Sequence, residues 1–252
     1  MKITIITLFP KMVTGFFEES IVKRAIEKKL VEIEMINLRD FSVDSYGTVD
    51  DRPYGGGAGM VMKVESLSKA IQSYKSQNSK TILTSAKGTV FNQKKAQELA
   101  KSEHLILIAG HYEGVDERIM DQIDEEISLG DFVMTGGEIT AAAVVDAIVR
   151  LIPGVLKKET ATEIESFFTV KVNDLEKILG KDELLQRIKN KGVEKVQLLE
   201  FPQYTRPEEY EGKKVPEILL SGHEKNIGEW RMKKAWEETV KKRRDLLDKF
   251  LK

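Results

Sequence analysis

The feature that most constrains the fold of this chain is an alternation of short apolar runs with helical patterns over its first 152 residues. The runs seldom alternate with polar residues, which is typical of strands covered on both faces. Five strands are predicted, at Ile3–Leu8, Glu32–Ile36, Thr81–Thr84, Leu105–Ala109 and Phe132–Met134. Helical patterns lie between them, most clearly at Phe16–Leu30, Leu67–Tyr74, Gln93–Lys101 and Ile139–Ile152. The alternation predicts an α/β domain with a mostly parallel sheet.

The chain changes character after Ile152-Pro153-Gly154, which ends the last of these helices. Residues 157–200 are rich in Lys and Glu without a strand-like run, and two short helices are predicted there, at Asp174–Leu179 and Asp182–Lys189. Further on, the spacing of Ser221 and Glu224 predicts a capping box before a helix that contains both tryptophans. We therefore predict a first domain over 1–157, a linker with a helical segment over 158–200, and a small helical domain over 201–252.

Composition excludes several kinds of site. The 252 residues include no cysteine, which rules out a disulfide scaffold, a cysteine-bound metal and a thiol nucleophile. The three histidines, His104, His111 and His223, have no metal-ligand spacing. No apolar run approaches the ~18 residues of a membrane helix, and no export signal is evident. We therefore expect a cytoplasmic protein with no membrane partner.

Charge is unevenly distributed along the chain. The net charge is −1, yet residues 201–252 contain 13 basic and 10 acidic residues. Most of this excess lies between Lys241 and Lys252. A basic end of this kind can contact a polyanion, and the alternative is a solvated helix face.

The most unusual stretch is Val49-Asp-Asp-Arg-Pro-Tyr-Gly-Gly-Gly-Ala-Gly-Met60, which places four glycines in five positions. Without side chains, the backbone can approach a ligand closely or adopt turns with positive φ. The stretch matches neither the dinucleotide fingerprint nor the Walker loop. Arg52 and Tyr54 beside the glycines could pair with a phosphate and stack on a base, so a binding loop is favoured over a mobile surface loop.

Two further glycine-flanked stretches follow predicted strands. In Ile108-Ala-Gly-His-Tyr-Glu-Gly-Val-Asp-Glu-Arg118, polar residues follow a buried strand, and ligands of α/β sheets gather at the carboxyl ends of strands. In Ser128-Leu-Gly-Asp-Phe-Val-Met-Thr-Gly-Gly-Glu138, the last four residues have capping-box spacing, and the paired glycines would let a ligand lie against backbone amides. A plain strand-to-helix turn is the alternative for the first stretch, and a plain helix cap for the second.

Together with Tyr204-Thr-Arg-Pro207, these stretches occur in an order that resembles one family. The chain resembles the bacterial tRNA (guanine-N1)-methyltransferases, which modify guanosine 37 beside the anticodon and belong to the SPOUT class of knotted methyltransferases. The matching pieces extend from residue 8 to residue 231. They also include Leu8-Phe9-Pro10, Ile123-Asp-Glu-Glu126, Ile152-Pro-Gly-Val155, Leu219-Leu-Ser-Gly222 and Trp230-Arg231.

The resemblance implies a parallel sheet with a deep trefoil knot, a small helical C-terminal domain that binds tRNA, and an obligate homodimer with active sites built from both chains. It also implies that S-adenosylmethionine binds within the knot loops. The implied cofactor contacts are Leu83, Thr84, Gly110, Tyr112, Glu113, Leu129, Gly130, Asp131, Phe132, Val133, Met134, Gly136 and Gly137. The family responds to Mg²⁺, although no dedicated ligand cluster stands out in this sequence.

The resemblance further implies roles in methyl transfer. Arg150 is the implied cation at the guanine, with a cation at a helix C-terminus as the alternative. Glu165 occupies the position of the family's aspartate base, one methylene longer, with Glu163 nearby as the other candidate. His111 stands where many relatives have arginine, and a segment from about Thr169 to Val196 is inserted in the linker. The implied substrate contacts are Arg52, Tyr54, Gly59, His111, Glu113 and Arg206.

Two other functions stay open from the sequence. A non-catalytic RNA-binding homodimer would keep the pocket and lose the chemistry through the Asp-to-Glu change, whereas a related knotted methyltransferase would act on ribosomal RNA. The glycine loops and Arg150 favour an enzyme, and the segments Tyr204–Pro207 and Leu219–Gly222 favour tRNA as its substrate.

Overall fold

The protein is described from a computed structural model, over residues 1–157 and 164–251. The chain divides into two compact units, residues 1–157 and 158–252. The first unit contains a five-stranded parallel sheet of order β2-β1-β6-β5-β7. Its strands are β1 (Lys2–Thr7), β2 (Glu32–Asn37), β5 (Ser79–Val90), β6 (His104–Ala109) and β7 (Glu125–Ser128), and a two-stranded antiparallel sheet is formed by β3 (Asp50–Asp51) and β4 (Val61–Met62).

Helices cover both faces of this sheet. The α-helices are α1 (Lys11–Phe17), α2 (Ser20–Glu27), α3 (Val64–Tyr74), α4 (Gln93–Leu99) and α5 (Glu138–Val149), with 3-10 turns at Leu38–Phe41 and Glu117–Gln122. Alternate residues of the strands enter two hydrophobic clusters. Ile3 and Ile5 of β1 pack in the cluster with α1, α2, α4 and α5, whereas Ile6 packs in the cluster with α3 and the 3-10 turns. The predicted α/β class and parallel sheet are confirmed by the parallel pairing of all five strands.

Two of the predicted elements of this unit are wrong. Phe132–Met134 is an exposed irregular segment, and the fifth strand is β7, whose first two residues are glutamates. The helix predicted over Phe16–Leu30 is two helices, α1 and α2, with Ser20 at a φ of +56° where the chain turns between them. Each helix buries its own pair of apolar residues against the sheet, which a continuous helical pattern does not reveal.

The second unit also contains strands. Its elements are β8 (Phe168–Lys171), α6 (Val172–Leu179), α7 (Glu183–Asn190), β9 (Lys195–Leu198), β10 (Glu209–Tyr210), β11 (Lys213–Lys214), α8 (Glu217–Leu220), α9 (Glu224–Lys242) and α10 (Asp245–Asp248). The expectation that residues 157–200 lack strands is therefore wrong, since β8 and β9 pair antiparallel. Leu175, Leu198 and Trp236 belong to one hydrophobic cluster, so α6, β9 and α9 share a core.

The capping box predicted at Ser221–Glu224 is also wrong. His223 is the residue before α9, and no side chain caps this helix end. The Ser221 hydroxyl instead donates to the Ile218 carbonyl at 2.8 Å and accepts from the His223 amide at 3.2 Å, which makes it part of the turn after α8.

Candidate active site

A cleft of about 310 Å³ lies at the carboxyl ends of β5, β6 and β7, within the size range of small-molecule sites. It is bounded by the irregular part of β5, where the register shifts between Thr84 and Thr89, by the loop after β6 and by the segment that joins β7 to α5. Of the thirteen predicted cofactor contacts, twelve line this cleft: Leu83, Thr84, Gly110, Tyr112, Glu113, Leu129, Gly130, Phe132, Val133, Met134, Gly136 and Gly137. Asp131 is exposed and is not among the lining residues.

The paired glycines before α5 are fixed by contact with the strand ends. The Gly137 amide donates to the Gly110 carbonyl at 2.6 Å, and Gly136 forms an antiparallel bridge with His111. A Cβ atom on Gly137 would overlap with Thr84 Oγ1, and one on Gly136 would overlap with the His111 ring. Because Gly137 has an ordinary φ of −85°, space rather than backbone conformation requires glycine there.

The glycine-rich stretch 49–60 is attached to the loop after β6. The Met62 amide donates to the Gly114 carbonyl at 2.9 Å, and the Glu113 amide donates to the Met60 carbonyl at 3.0 Å. Gly59 has a φ of +85°, and a Cβ atom there would lie 2.5 Å from the Glu113 side chain. The structure therefore brings two of the sequence motifs together beside the cleft.

Arg52 and Tyr54 lie on the exposed part of the glycine-rich stretch. Both side chains are exposed, and neither residue is among those that line the cleft. Their predicted substrate contacts therefore depend on a ligand that extends beyond the cleft.

The lining of the cleft combines exposed apolar side chains with carboxylates. Phe132 and Val133 are 55% and 89% exposed, which leaves apolar surface for a flat ring. Three glutamates, Glu113, Glu117 and Glu126, are among the lining residues, against one lysine, Lys87. A ligand that is flat and apolar at one part and cationic at another matches these surfaces.

The buried residue Glu138 is one that sequence reasoning interpreted only as a helix cap. The structure shows no side-chain cap on α5; instead, Thr7 Oγ1 donates to Glu138 Oε1 at 2.8 Å, and His111 Nδ1 lies 3.5 Å from Glu138 Oε2. The capping box predicted for Thr135–Glu138 is therefore wrong. The only signal for Glu138 in the sequence is a glutamate beside two glycines. Its role does not show there, because Thr7 is distant from it in the chain.

The remaining predicted residues are divided between the two units. Arg150 is half-buried and follows directly after α5 in the first unit. Glu165 is half-buried in the second unit, where its carbonyl accepts from the Phe168 amide at 3.0 Å. Arg206 is exposed in the second unit, and Glu163 lies outside the described residues.

Within 1–157 and 164–251, no group of three or more acidic or histidine side chains is arranged to hold a metal ion. Over the part of the chain that the structure describes, no helix has the length and apolar character to cross a bilayer.

A parallel α/β unit with a glycine-lined cleft at the carboxyl ends of its strands defines the class of α/β proteins whose ligand site lies at this edge of the sheet. The family model for the tRNA (Guanine-1)-methyltransferase TrmD matches residues 1–249. The chain belongs to this family.

Curated relatives support the same assignment. The chain is 49% identical to the tRNA (guanine-N(1)-)-methyltransferase of Dictyoglomus turgidum over 249 residues, which is 99% of this chain and 91% of the relative. It is 49% identical to the enzyme of that name from Carboxydothermus hydrogenoformans, over 98% of this chain and 87% of the relative. The corresponding enzyme of Clostridium beijerinckii is 48% identical, over 99% of this chain and 93% of the relative.

Proposed function

We propose that this protein transfers a methyl group from S-adenosylmethionine to N1 of guanosine 37 in tRNA. The observation that carries the proposal is the family match over residues 1–249, which includes every element around the cleft. The cleft supplies an independent physical argument, because its size and lining suit a nucleoside with a cationic side group.

The fit of S-adenosylmethionine to the cleft can be judged from the residues present. Gly110, Gly136 and Gly137 leave the backbone open to a ligand, and Phe132 and Val133 offer apolar surface for an adenine ring. The carboxylates of the lining complement a sulfonium and an ammonium group. When bound, the cofactor supplies an electrophilic methyl group.

The chemistry of the acceptor defines what the protein residues must do. Guanine N1 carries a proton at neutral pH, so a general base has to remove it. We assign this role to Glu165, the carboxylate at the family's base position. Negative charge then develops on O6, and we assign its stabilisation to the guanidinium of Arg150. Glu113 accepts hydrogen bonds from the guanine edge in this scheme, because its side chain lines the cleft beside Gly59.

A homodimer with a trefoil knot completes the proposed architecture. On the first unit, Met12 and Phe16 lie one helical turn apart on α1 and are 51% and 47% exposed, and Ile139 at the start of α5 is 54% exposed. Exposed apolar groups of this kind indicate an interaction surface, and a second copy of the chain is the occupant we propose. Sedimentation velocity should show a dimer that Met12→Glu/Phe16→Glu converts to monomers; an unchanged sedimentation coefficient would rule out this surface.

The second unit offers surfaces suited to RNA. Tyr204 is 48% exposed beside Trp230, with ring centroids 6.4 Å apart, and Arg231 lies 4.9 Å above the Phe201 ring. Together with the exposed Arg206, these groups could stack on bases and pair with phosphates. The affinity for tRNA should therefore fall as the salt concentration rises, and Arg206→Gln should reduce the slope of log Kd against log salt by about one.

The decisive experiment locates the methyl group. The protein is incubated with labelled S-adenosylmethionine and tRNA transcripts that carry either G or A at position 37, and the product nucleosides are identified. Label in N1-methylguanosine from the G37 transcript alone supports the proposal. Binding of both substrates without transfer would indicate a non-catalytic RNA-binding protein, and transfer to ribosomal RNA alone would indicate the other methyltransferase class.

The assignment of the base needs matched variants. Glu165→Gln should lower the single-turnover rate by at least about 100-fold, the usual loss for a general base. Glu163→Gln tests the neighbouring carboxylate, and Glu200→Gln, an exposed glutamate of the same unit, serves as the control. Full activity of Glu165→Gln together with loss in Glu163→Gln would transfer the role to Glu163.

A further inference from the structure

The carboxylate of Glu138 is fully buried at the start of α5, with two distinct environments for its two oxygens. Oε1 accepts a hydrogen bond from the Thr7 hydroxyl, with an O–O distance of 2.8 Å. Oε2 lies 3.5 Å from His111 Nδ1, and each of these two atoms is buried without a hydrogen-bond partner among the described residues. Two buried polar atoms that face each other at this distance, and that have no other partner, are expected to have one proton between them.

The direction of the Thr7 hydrogen bond can be fixed. Thr7 Oγ1 accepts from the Phe9 amide at 3.0 Å, so its single proton is available for Glu138 Oε1. The ionised carboxylate can only accept hydrogen bonds, so its Oε2 needs a second donor, and an N–H at His111 Nδ1 is the group placed to supply it. The tautomer of an imidazole is set by the hydrogen bond that one of its nitrogens makes, so a proton on Nδ1 leaves Nε2 as an acceptor.

The surroundings hold the imidazole in place. The His111 ring lies 4.9 Å from the Phe9 ring and 4.8 Å from the Tyr112 ring, nearly perpendicular to the latter. A Cβ atom on Gly136 would overlap with both His111 Nδ1 and Glu138 Oε2, so glycine at this position leaves the space that the pair occupies. The His111 side chain nevertheless retains 14% exposure and lines the cleft.

We propose that Glu138 is a positioning residue that fixes His111 as the Nδ1–H tautomer, so that Nε2 accepts a hydrogen bond from an N–H or O–H donor of a ligand in the cleft. The proposal rests on the proposed function for the identity of that ligand. Two sources carry the required donor: the exocyclic amino group of the target guanine and a hydroxyl or amino group of the bound methyl donor.

The tautomer can be measured without any turnover. In protein labelled with ¹⁵N-histidine, the ring nitrogens of three histidines are observed, and His104→Gln and His223→Gln assign the His111 signals by elimination. The wild-type spectrum should show His111 protonated at Nδ1, with Nε2 as the unprotonated nitrogen. A wild-type spectrum with the proton on Nε2 would overturn the proposal by itself, whatever the variants do.

The isosteric variant Glu138→Gln provides the sharper test. Because Thr7 donates, the amide oxygen of glutamine should face Thr7 and its NH₂ group should face His111 Nδ1. The ring must then accept at Nδ1 and carry its proton on Nε2, so the tautomer inverts. A purely structural role for Glu138 would not predict this inversion, and an unchanged tautomer would refute the positioning role. His104→Gln, which alters a buried histidine elsewhere, should leave the His111 signals unchanged.

Ligand measurements then identify the donor. His111→Gln and Glu138→Gln should each weaken either the binding of S-adenosylmethionine or the methylation of guanosine by about 10-fold. The double variant should lose no more than either single variant, because both residues act through the same nitrogen. A weakened Kd for S-adenosylmethionine identifies the methyl donor as the source. A loss confined to methylation of a guanosine substrate, with an inosine substrate unaffected, identifies the exocyclic amino group. Unchanged binding and methylation in His111→Gln would refute the acceptor role. If the wild-type protein methylates no tRNA, the proposed function fails, while the spectra still decide the tautomer.

Discussion

Gly137→Ala tests whether the paired glycines before α5 are required by packing against the strand ends. The backbone at Gly137 has φ −85° and ψ 0°, which alanine also adopts, so conformational strain does not oppose the substitution. The added Cβ atom would overlap with Thr84 Oγ1 and would lie 2.8 Å from the Gly110 nitrogen and 3.1 Å from Ala109 Cα. Two of these three atoms belong to the backbone, so rotation of one side chain cannot relieve the overlap.

The magnitude follows from the groups that must move. Thr84 Oγ1 donates to the Ile108 carbonyl at 3.1 Å and accepts from the Gly110 amide at 3.2 Å. Turning this side chain away breaks both bonds, at about 1 kcal/mol each. Forcing an extra methyl group into a packed interior costs about 1–3 kcal/mol more. We therefore expect the free energy of unfolding of the first unit to fall by about 3–5 kcal/mol.

Hydrogen exchange of the β6 amides measures this change in the correct unit, because both tryptophans lie in the second unit and their fluorescence does not report on it. Gly228→Ala is the control: it lies within α9 with no atom within 4 Å of the added Cβ, and should stabilise its helix by about 0.5–1 kcal/mol.

A double-mutant cycle identifies the source of the strain. Thr84→Ala should lower the free energy of unfolding of the first unit less in the Gly137→Ala protein than in the wild type, because the overlapping hydroxyl is already displaced there. Strictly additive effects, or unchanged exchange in Gly137→Ala, would refute the packing explanation.

Three further changes should alter stability. Burial, followed by the charge of Lys2, lowers the pKa of His104. The stability that the neutral imidazole contributes is therefore fully present above the unfolded-state pKa near 6.5 and is lost as the pH falls below it. The urea midpoint should thus fall less steeply between pH 8 and pH 5 in His104→Gln than in the wild type. Glu125→Gln removes a carboxylate that two lysines contact at 2.7 and 2.8 Å. It should lower the free energy of unfolding in urea by about 1–2 kcal/mol. Glu98→Gln should lower it less, because the Glu98 side chain is 53% exposed. Asp182→Ala removes the acceptor for the Leu185 amide and for the Trp236 indole N–H. It should lower the stability of the second unit by about 1–2 kcal/mol, read as the urea midpoint by tryptophan fluorescence; an unchanged midpoint would contradict this.

The central strands can be predicted because short, nearly uninterrupted apolar runs indicate strands that are buried on both faces. β1 and β6 are apolar on both faces, and this pattern is incompatible with an exposed or one-sided strand. β7 was missed because Glu125 and Glu126 open it, and the polar start is stabilised by lysines from β5 and α4. The strand predicted at Phe132–Met134 is wrong because apolar residues in an exposed cleft wall resemble a buried run in sequence.

The sequence identifies the glycine-rich segments, and with them the residues around the cleft. Closely spaced glycines indicate a place where the backbone must leave room for a neighbouring group. Tertiary structure alone decided why particular glycines are required and which polar groups meet. Glu138 pairs with Thr7 across 131 positions, and Gly137 approaches Thr84 through the packing of α5 on the sheet. Backbone space and apolar periodicity are local properties of a chain, whereas hydrogen-bond partners across a core depend on how separate strands and helices are brought together.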